Sequence, residues 1–158
     1  MRGGKIDRSI EICEIGCGCG QFANMLFDNG YTKYIGIDFS SQAIMLARKA
    51  NPDHAEQFIC EDAFSYLQSC QEKSGTLFIM FEVLEHIKKD IELLNMLPVG
   101  SNVIFSVPNF KSFNHIRTYD TLEFIENRYK MLKIRNYHEL PANKNADKIY
   151  HLLHAVRI

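Results

Sequence analysis

The segment EIGCGCG at residues 14–20 combines the residue types needed for a metal site or a ligand-binding loop. A structural zinc site usually takes two C-x-x-C pairs, whereas Cys17 and Cys19 form a single C-x-C pair with no second pair elsewhere. A phosphate-binding P-loop needs a Lys-Ser or Lys-Thr pair after its glycines, and Gln21 and Phe22 stand there instead. Glycines allow positive φ and a close approach of the backbone to a ligand. These observations favour a backbone loop for a nucleotide-like ligand and leave the kind of ligand open.

The remaining cysteines show no metal-ligand spacing either. The chain has five, at positions 13, 17, 19, 60 and 70, an odd number. Since reduced cysteines often serve as small packing residues, we expect all five to be packing thiols.

Apolar runs and helical stripes alternate along the chain and predict the elements that position the glycine segment. We expect strands at residues 9–15, 34–38, 57–60, 76–80 and 102–107, and helices at residues 21–27, 42–50, 63–68 and 87–97. Strands and helices that alternate with short links form a doubly wound parallel sheet.

The C-terminal part changes its pattern. Residues 120–123 (DTLE) resemble a capping box in which Asp120 opens a helix reaching Asn127. Residues 129–137 and 148–157 then follow as two strands without a helix between them, which predicts an antiparallel pair. The expected fold is therefore α/β, doubly wound, with a mostly parallel seven-stranded sheet and an antiparallel C-terminal edge pair.

Composition narrows the class of protein. A length of 158 residues suits a single domain spanning residues 1–158, and 46% hydrophobic residues are enough for a buried core. The formal net charge of −1 gives no electrostatic case for a nucleic-acid or membrane partner. Because no apolar run approaches the roughly 20 residues of a membrane helix, and the first residues lack the apolar core of a secretion signal, we expect a cytoplasmic location.

The glycine segment lies where open α/β sheets bind ligands, at the carboxyl end of the first strand beside a reversal of strand order. The helix that follows it offers unpaired N–H groups to an anionic group. Residues 18–23 also fit the dinucleotide fingerprint G-x-G-x-x-A, which is a weak signal by itself. A dinucleotide-dependent oxidoreductase therefore stays open at this point.

Further segments follow the glycine segment in a definite order. They are YIGIDFS at residues 34–40, EDA at 61–63, FEVLEHI at 81–87, and the glycine turn with the fifth strand at 97–109. Together with residues 14–20, they resemble the motifs of class I S-adenosylmethionine-dependent methyltransferases. The resemblance runs from about Ser9 to Asn109. It is closest to the broad group that contains the ubiquinone-biosynthesis O-methyltransferases.

The resemblance implies a set of residues that bind S-adenosylmethionine. Asp38 is expected to accept both ribose hydroxyls, with a helix N-cap as its structural alternative. Glu14 is expected either to face the ammonium of the cofactor or to organise the loop through backbone N–H groups. Phe39 would cover the adenine, and Asp62 would lie near the adenine amino group. The full expected cofactor-binding set is Glu14, Gly16, Cys17, Gly18, Gly20, Asp38, Phe39, Asp62, Ala63, Phe81 and Glu82.

Two histidines are the expected catalytic residues. His86 belongs to the FEVLEHI segment, and His115 lies in an aromatic, cationic loop at residues 108–119 that is expected to cover the carboxyl edge of the sheet. A histidine there would act as general base toward a hydroxyl acceptor. His115 and Arg117 would hold an anionic or phenolic acceptor. The structural alternative for this loop is a packed connector.

The spacing Glu82-x-x-Glu85-His86 resembles a carboxylate–carboxylate–histidine metal site of the ubiquinone O-methyltransferase group. Hard oxygen ligands with one imidazole would suit a divalent cation. The same letters open the next helix in relatives without a metal. We prefer that second interpretation and expect no metal ligands.

The resemblance implies an enzyme that moves the methyl group of S-adenosylmethionine to a small-molecule acceptor by O- or N-methylation and releases S-adenosylhomocysteine. The alternatives are a non-catalytic cofactor-binding module or pseudoenzyme and, less favoured, an NAD(P)-dependent oxidoreductase. Most relatives carry one or two lid helices before the first strand, and about eight residues precede it here. Either the site is open to a large acceptor, another copy completes the lid in a homo-oligomer, or the sequence is a shortened one.

Overall fold

The computed structural model describes residues 7–69, 75–144 and 147–158. The strands are β1 (Ile12–Ile15), β2 (Tyr34–Asp38), β3 (Phe58–Cys60), β4 (Leu77–Phe81), β5 (Asn102–Pro108), β6 (Leu132–Pro141) and β7 (Ile149–Arg157). The α-helices are α1 (Gln21–Asp28), α2 (Ser41–Ala50), α3 (Ala63–Ser69), α4 (Asp90–Met96) and α5 (Leu122–Arg128), and a 3-10 helix (Pro52–Gln57) links α2 to β3. Two expectations concern residues outside these ranges. They are the packing role of Cys70 and the lack of a secretion signal in the first six residues.

The strands form one sheet in the order β3-β2-β1-β4-β5-β7-β6. The first five strands in the chain are parallel, whereas β7 runs antiparallel to both β5 and β6. The order reverses between β1 and β4, so the carboxyl ends of these two strands flank the crevice in which such sheets bind ligands. The predicted doubly wound sheet with an antiparallel C-terminal pair is confirmed.

Helices cover both faces of the sheet and bury its side chains in two clusters. Neighbouring residues of β4 point in opposite directions: Phe78 and Met80 pack with α3, α4 and α5, whereas Leu77 and Ile79 pack with α1 and α2. Because both faces are covered, the central strands are apolar at successive positions. Among the described helices, none combines the length and the apolar character needed to cross a membrane.

The N-termini of α2 and α5 are each capped by a side-chain hydroxyl, and one predicted cap is corrected. The Ser40 hydroxyl accepts a hydrogen bond from the Ala43 N–H at 3.2 Å, which makes Ser40 the N-cap of α2. At α5 the expected cap, Asp120, is wrong by one position. The Thr121 hydroxyl accepts from the Phe124 N–H at 3.1 Å, because Thr121 has the extended backbone that an N-cap requires.

A buried carboxylate joins α4, α5 and the loop after β5. Asp90 is 1% exposed and pairs with Arg128 through two hydrogen bonds of 2.6 and 2.8 Å. Arg117 lies 3.0 Å from the same carboxylate, and the Tyr129 hydroxyl donates to it at 2.7 Å. These contacts fix the loop that runs over the carboxyl edge of the sheet.

The four described cysteines are free thiols. Cys13 and Cys17 are buried in the core, as expected of packing residues, whereas Cys19 and Cys60 are exposed, so the packing prediction is wrong for these two. Cys19 lies in the glycine loop and Cys60 at the end of the edge strand β3, where there is little to pack against.

Candidate functional site

A cavity of about 580 Å³ opens at the carboxyl ends of β1 to β4. This volume lies within the roughly 300–1,000 Å³ of typical cofactor and small-molecule sites. The predicted site residues on its wall are Gly16, Asp38, Phe39, Asp62, Ala63, Glu82 and His86. The wall is completed by Ile15, Ile37, Glu61, Phe64, Val83, Ile87 and Asn114, which sequence reasoning did not select. Most of these lie next to a predicted residue in the sequence, so their position beside a motif could have identified them.

Other predicted residues lie off the wall, namely Glu14, Cys17, Gly18, Gly20, Phe81 and His115. Cys17 is 6% exposed, and burial raises the pKa of its thiol above the ordinary value, so it stays protonated. Phe81 packs edge-on against Phe22, with ring centroids 4.9 Å apart. Both side chains therefore lie in the packing beneath the glycine loop instead of facing a ligand.

The glycine loop bends sharply between β1 and α1. Gly16 has φ +75°, and a Cβ atom added to it would lie 2.5 Å from Cγ2 of Val83. Gly18 has φ +53°, and an added Cβ would meet nothing within 4 Å, so its side is open. Left-handed backbone is costly for residues with a side chain, and the close contact at Gly16 leaves no room for one. The loop is therefore the backbone cradle that the sequence predicts.

Asp38 ties β2 to the glycine loop. Its Oδ2 accepts the Gly18 N–H at 3.1 Å, and its Oδ1 accepts the Ser40 N–H at 2.8 Å. The N-cap alternative for Asp38 is wrong, because Ser40 fills that position. Each carboxylate oxygen has two lone pairs, so Asp38 can accept further hydrogen bonds from a ligand in the cavity.

Phe39 and Asp62 stand on the β2 and β3 side of the cavity. The Phe39 side chain is 82% exposed, which is unusual for a large apolar ring and leaves its face available to a flat ligand. Asp62 Oδ1 accepts the N–H groups of Phe64 and Ser65 at 3.0 and 3.2 Å and so caps α3. Its Oδ2 is the oxygen that a ligand would use.

Glu14 is buried under the loop and points away from the cavity. It is 4% exposed and accepts a hydrogen bond of 2.5 Å from the Tyr34 hydroxyl. Burial raises the pKa of Glu14 to about 7, although the bond from Tyr34 acts in the opposite direction. Glu14 therefore contacts the neighbouring strand in this structure, and its expected contact with a cofactor ammonium stays a prediction.

Glu82 begins the turn after β4 in a strained conformation. Its φ is +55°, and its N–H donates to the Ser106 hydroxyl at 3.0 Å, which holds the turn in place. Its exposed side chain lies near the Tyr150 hydroxyl of β7. Burial raises the pKa of that hydroxyl, and the negative charge of Glu82 adds to the rise. Left-handed non-glycine residues persist where surrounding structure determines them, as at functional sites.

His86 and His115 meet beside the cavity. Nδ1 of His86 lies 3.0 Å from the Asn114 carbonyl oxygen, and Nδ1 of His115 lies 3.2 Å from the Phe110 carbonyl oxygen. Because a carbonyl accepts and cannot donate, each Nδ1 carries a proton, and in the neutral form of each ring the lone pair is on Nε2. The ring centroids are 4.9 Å apart, with the planes at 80°.

Glu85 lies next to these rings. It is completely buried, and neither of its carboxylate oxygens has a hydrogen-bond partner. One donor atom from each of Glu85, His86 and His115 lies within 4.8 Å of the others. We call these three residues the Glu–His–His cluster. The FEVLEHI motif indicated two of them, and nothing local in the sequence joins His115 to them.

Arg117 has a structural role, which corrects the expectation that it binds the acceptor. Its Nη1 donates to the carbonyl oxygens of Leu84 and Ile87 at 2.7 and 2.6 Å, in addition to its pair with Asp90. A side chain so fully engaged holds the turn after β4 against the loop that carries His115.

Comparison with known proteins agrees with this geometry. Residues 13–97, more than half of the chain, match the sequence model of a family described as methyltransferase domain. No curated protein matches the sequence significantly. Similar solved structures include the [4+2]-cyclase SpnF, with a TM-score of 0.74 and 12% identity over 96% of this chain and 76% of that one.

Two further similar structures contain a sulfonium cofactor or its product. The N-methyltransferase NodS from Bradyrhizobium japonicum WM9, in complex with S-adenosyl-L-homocysteine, gives a TM-score of 0.70 at 18% identity, covering 94% of this chain and 78% of that chain. The magnesium protoporphyrin IX methyltransferase ChlM from Synechocystis PCC 6803, with S-adenosylmethionine bound, gives 0.68 at 18% identity, covering 94% and 70%. At these identities the structures establish a shared fold.

Proposed function

The chain belongs to the methyltransferase domain family and is an S-adenosylmethionine-dependent methyltransferase, and we propose that it methylates an oxygen or nitrogen atom of a small-molecule acceptor. S-adenosylmethionine is the cofactor and S-adenosylhomocysteine the product. The cavity of about 580 Å³ has the size of a site for a cofactor with a small partner.

The position of Asp38 carries the proposal. It ends β2, one strand away from the switch point between β1 and β4, and lies on the cavity wall within hydrogen-bond distance of the glycine loop. From there its remaining lone pairs would accept the two hydroxyls of the cofactor ribose. Phe39 would lie against the adenine ring, and Asp62 Oδ2 would accept its amino group.

Methyl transfer from a sulfonium requires alignment more than chemical participation by the protein. The acceptor lone pair forms a bond to the methyl carbon while the carbon–sulfur bond breaks, and both electrons of that bond stay on sulfur. Holding the reactants in line can contribute about 7–11 kcal/mol to lowering the barrier. The apolar side chains of Val83 and Ile87 on the wall would help to exclude water from this region.

An acceptor hydroxyl or ammonium must also lose a proton. His86 is the histidine on the cavity wall, and its Nε2 holds the free lone pair. We assign proton removal to His86, a contribution of about 10²–10⁴-fold. His115 lies behind it and would hold its ring in place.

The oxidoreductase alternative loses support in the fold. Dinucleotide-binding sheets of the common kind place a parallel strand beyond the fifth, whereas here β7 is inserted antiparallel between β5 and β6. The alternative of a non-catalytic cofactor-binding module predicts the same cofactor site and differs only in predicting no methyl transfer.

The test measures cofactor binding and turnover separately. By calorimetry, Asp38→Ala should weaken S-adenosylhomocysteine binding by about 1.5–3 kcal/mol, tenfold or more, because a charged acceptor of hydrogen bonds is lost. Asp28→Ala, an exposed aspartate at the end of α1, should bind as the wild type does. Unchanged affinity in an Asp38→Ala protein that melts cooperatively would refute the ribose assignment.

Turnover is followed as S-adenosylhomocysteine released with a panel of small hydroxyl and amine acceptors. Product with a member of the panel, and its loss in His86→Ala, is the expected result. Cofactor binding without product from any acceptor would favour the non-catalytic module.

A further inference from the structure

The Glu–His–His cluster contains a buried carboxylate that the proposed reaction does not use. Glu85 is completely buried, and both of its oxygens lack a hydrogen-bond donor. A buried carboxylate without partners is costly, and such groups in proteins are usually satisfied by a donor, an ion partner or a metal. No described side chain donates a hydrogen bond to these oxygens, so a cation bound beside them would offset the cost of burial.

The two histidines are prepared to act as ligands. Each gives its Nδ1 proton to a backbone carbonyl, of Asn114 for His86 and of Phe110 for His115. Histidines that bind metals almost always donate their other ring N–H to a carbonyl, carboxylate or water, which fixes the tautomer and the ring orientation. In the neutral form each ring thus has a lone pair available on Nε2, and one ring nitrogen of each histidine lies within 4.8 Å of a Glu85 oxygen.

The spacing of the donor atoms fits a metal after a small adjustment. The three atoms lie within 4.8 Å of one another. Ligands held tetrahedrally at bond lengths of 2.0–2.1 Å lie about 3.4 Å apart. His86 is exposed and His115 is half-buried, so rotation of their rings can close the difference.

The ligand set differs from the one that the sequence motif suggested. Glu82 is not a member of the cluster, and His115 from the loop after β5 takes its place. The set changes from two carboxylates and one imidazole to two imidazoles and one carboxylate. Imidazole nitrogens suit zinc and its first-row neighbours, whereas magnesium prefers oxygen ligands.

We propose that Glu85, His86 and His115 bind one divalent transition-metal ion of the zinc type, in preference to magnesium. The cation would neutralise the buried carboxylate and occupy both lone pairs. Three protein ligands would leave one coordination position for a further ligand, and His86 lies on the cavity wall. When bound there, such an ion supplies Lewis-acid chemistry toward an oxygen ligand. With the ion bound, Nε2 of His86 would be a ligand, so the proton removal assigned to His86 applies to the metal-free protein. Metal binding itself does not depend on the proposed methyl transfer.

The test measures metal binding by the full-length chain in the absence of cofactor and acceptor. In calorimetry, zinc should bind in a one-to-one complex that millimolar magnesium does not displace. Cobalt(II) should give the visible absorption of a tetrahedral nitrogen–oxygen site, without the intense near-ultraviolet band that a cysteine ligand would add.

Matched variants identify the ligands. His115→Ala and, separately, His86→Ala should weaken zinc binding at least about tenfold, the lower end of what loss of a supporting group alone costs. Glu82→Gln should leave zinc affinity unchanged, because its carboxylate is not a ligand. Melting curves without metal show whether each variant is folded, and the exposed position of His86 keeps the test available if His115→Ala does not fold.

Two results would overturn the proposal. One is no saturable zinc binding to the wild type, or binding that both histidine variants retain. The other is a site that requires Glu82 or takes magnesium as strongly as zinc, which would point to the carboxylate-rich set. Neither result bears on S-adenosylhomocysteine affinity, so failure of the metal site and failure of the methyltransferase proposal are distinguishable.

Discussion

The buried pair of Glu14 and Tyr34 predicts an unusual dependence of stability on pH. Burial raises the pKa of Glu14 from its ordinary value of 4.5 to about 7, so the folded protein holds a proton that the unfolded chain has released. A raised pKa means that the folded state binds more protons than the unfolded state between these two values. The free energy of unfolding therefore falls as pH rises through this window.

The size of the effect follows from the two pKa values. One pH unit corresponds to 1.36 kcal/mol, so a rise from 4.5 to about 7 corresponds to about 3 kcal/mol. The contribution is complete below about pH 4.5 and is lost above about pH 7. Most globular proteins instead gain stability over the lower part of this range as paired carboxylates ionise.

The assay is urea unfolding, followed by circular dichroism at pH 5, 6, 7 and 8 with chelator present. Burial raises the pKa of Glu85 to about 7 as well, so the informative quantity is the difference between wild type and Glu14→Gln. The glutamine keeps an oxygen for the Tyr34 hydroxyl but does not titrate. Between pH 5 and pH 8 the variant should therefore lose about 2.5 kcal/mol less than the wild type, because part of the change already occurs below pH 5. The exposed Glu11→Gln should follow the wild type. Parallel curves for Glu14→Gln and the wild type would refute the reasoning.

Two further substitutions test the glycine loop and the buried ion pairs of Asp90. Gly16→Ala should lose about 1–3 kcal/mol of stability and bind S-adenosylhomocysteine more weakly, because its φ is +75° and the new methyl group would meet Val83. Gly100→Ala is the matched control in calorimetry and urea unfolding: its φ is +89° with nothing within 4 Å, so it should lose stability but not ligand affinity. Asp90→Asn should cost about 3–5 kcal/mol in urea unfolding, because it leaves two arginines without their buried anion, and a loss below about 1 kcal/mol would contradict that role.

The sheet was predictable because its signals are local. The apolar run at Tyr34–Asp38 was predicted with its observed bounds, since a parallel strand covered on both faces is continuously apolar. The predicted helix at residues 87–97 starts only at Asp90. Ile87 supplied the first residue of the apolar stripe, and it does pack on the core, but from a turn. Apolar spacing reports burial, and burial continues beyond the end of a helix.

The cavity was predictable for a topological reason and individual side chains were not. Parallel strands end at one edge of the sheet, so segments after β1, β2, β3 and β4 must meet there. Whether a particular side chain faces the ligand depends on its neighbours. Glu14 ends in the core because the Tyr34 hydroxyl from the adjacent strand reaches it, and sequence spacing carries no information about that contact.

The Glu–His–His cluster shows where sequence reasoning stops. Its geometry depends on the path of the loop after β5, which returns to the turn after β4 through the Ile116 N–H bond to the Glu85 carbonyl at 2.9 Å and through Arg117. These are backbone contacts, for which almost any residue at the carbonyl positions would serve. The local sequence motif therefore indicates Glu82 as the third ligand, whereas the folded chain places His115 in the cluster. Zinc titration of the Glu82 and His115 variants shows which of the two is the third ligand: Glu82, which the local motif indicates, or His115, which the fold brings to the cluster.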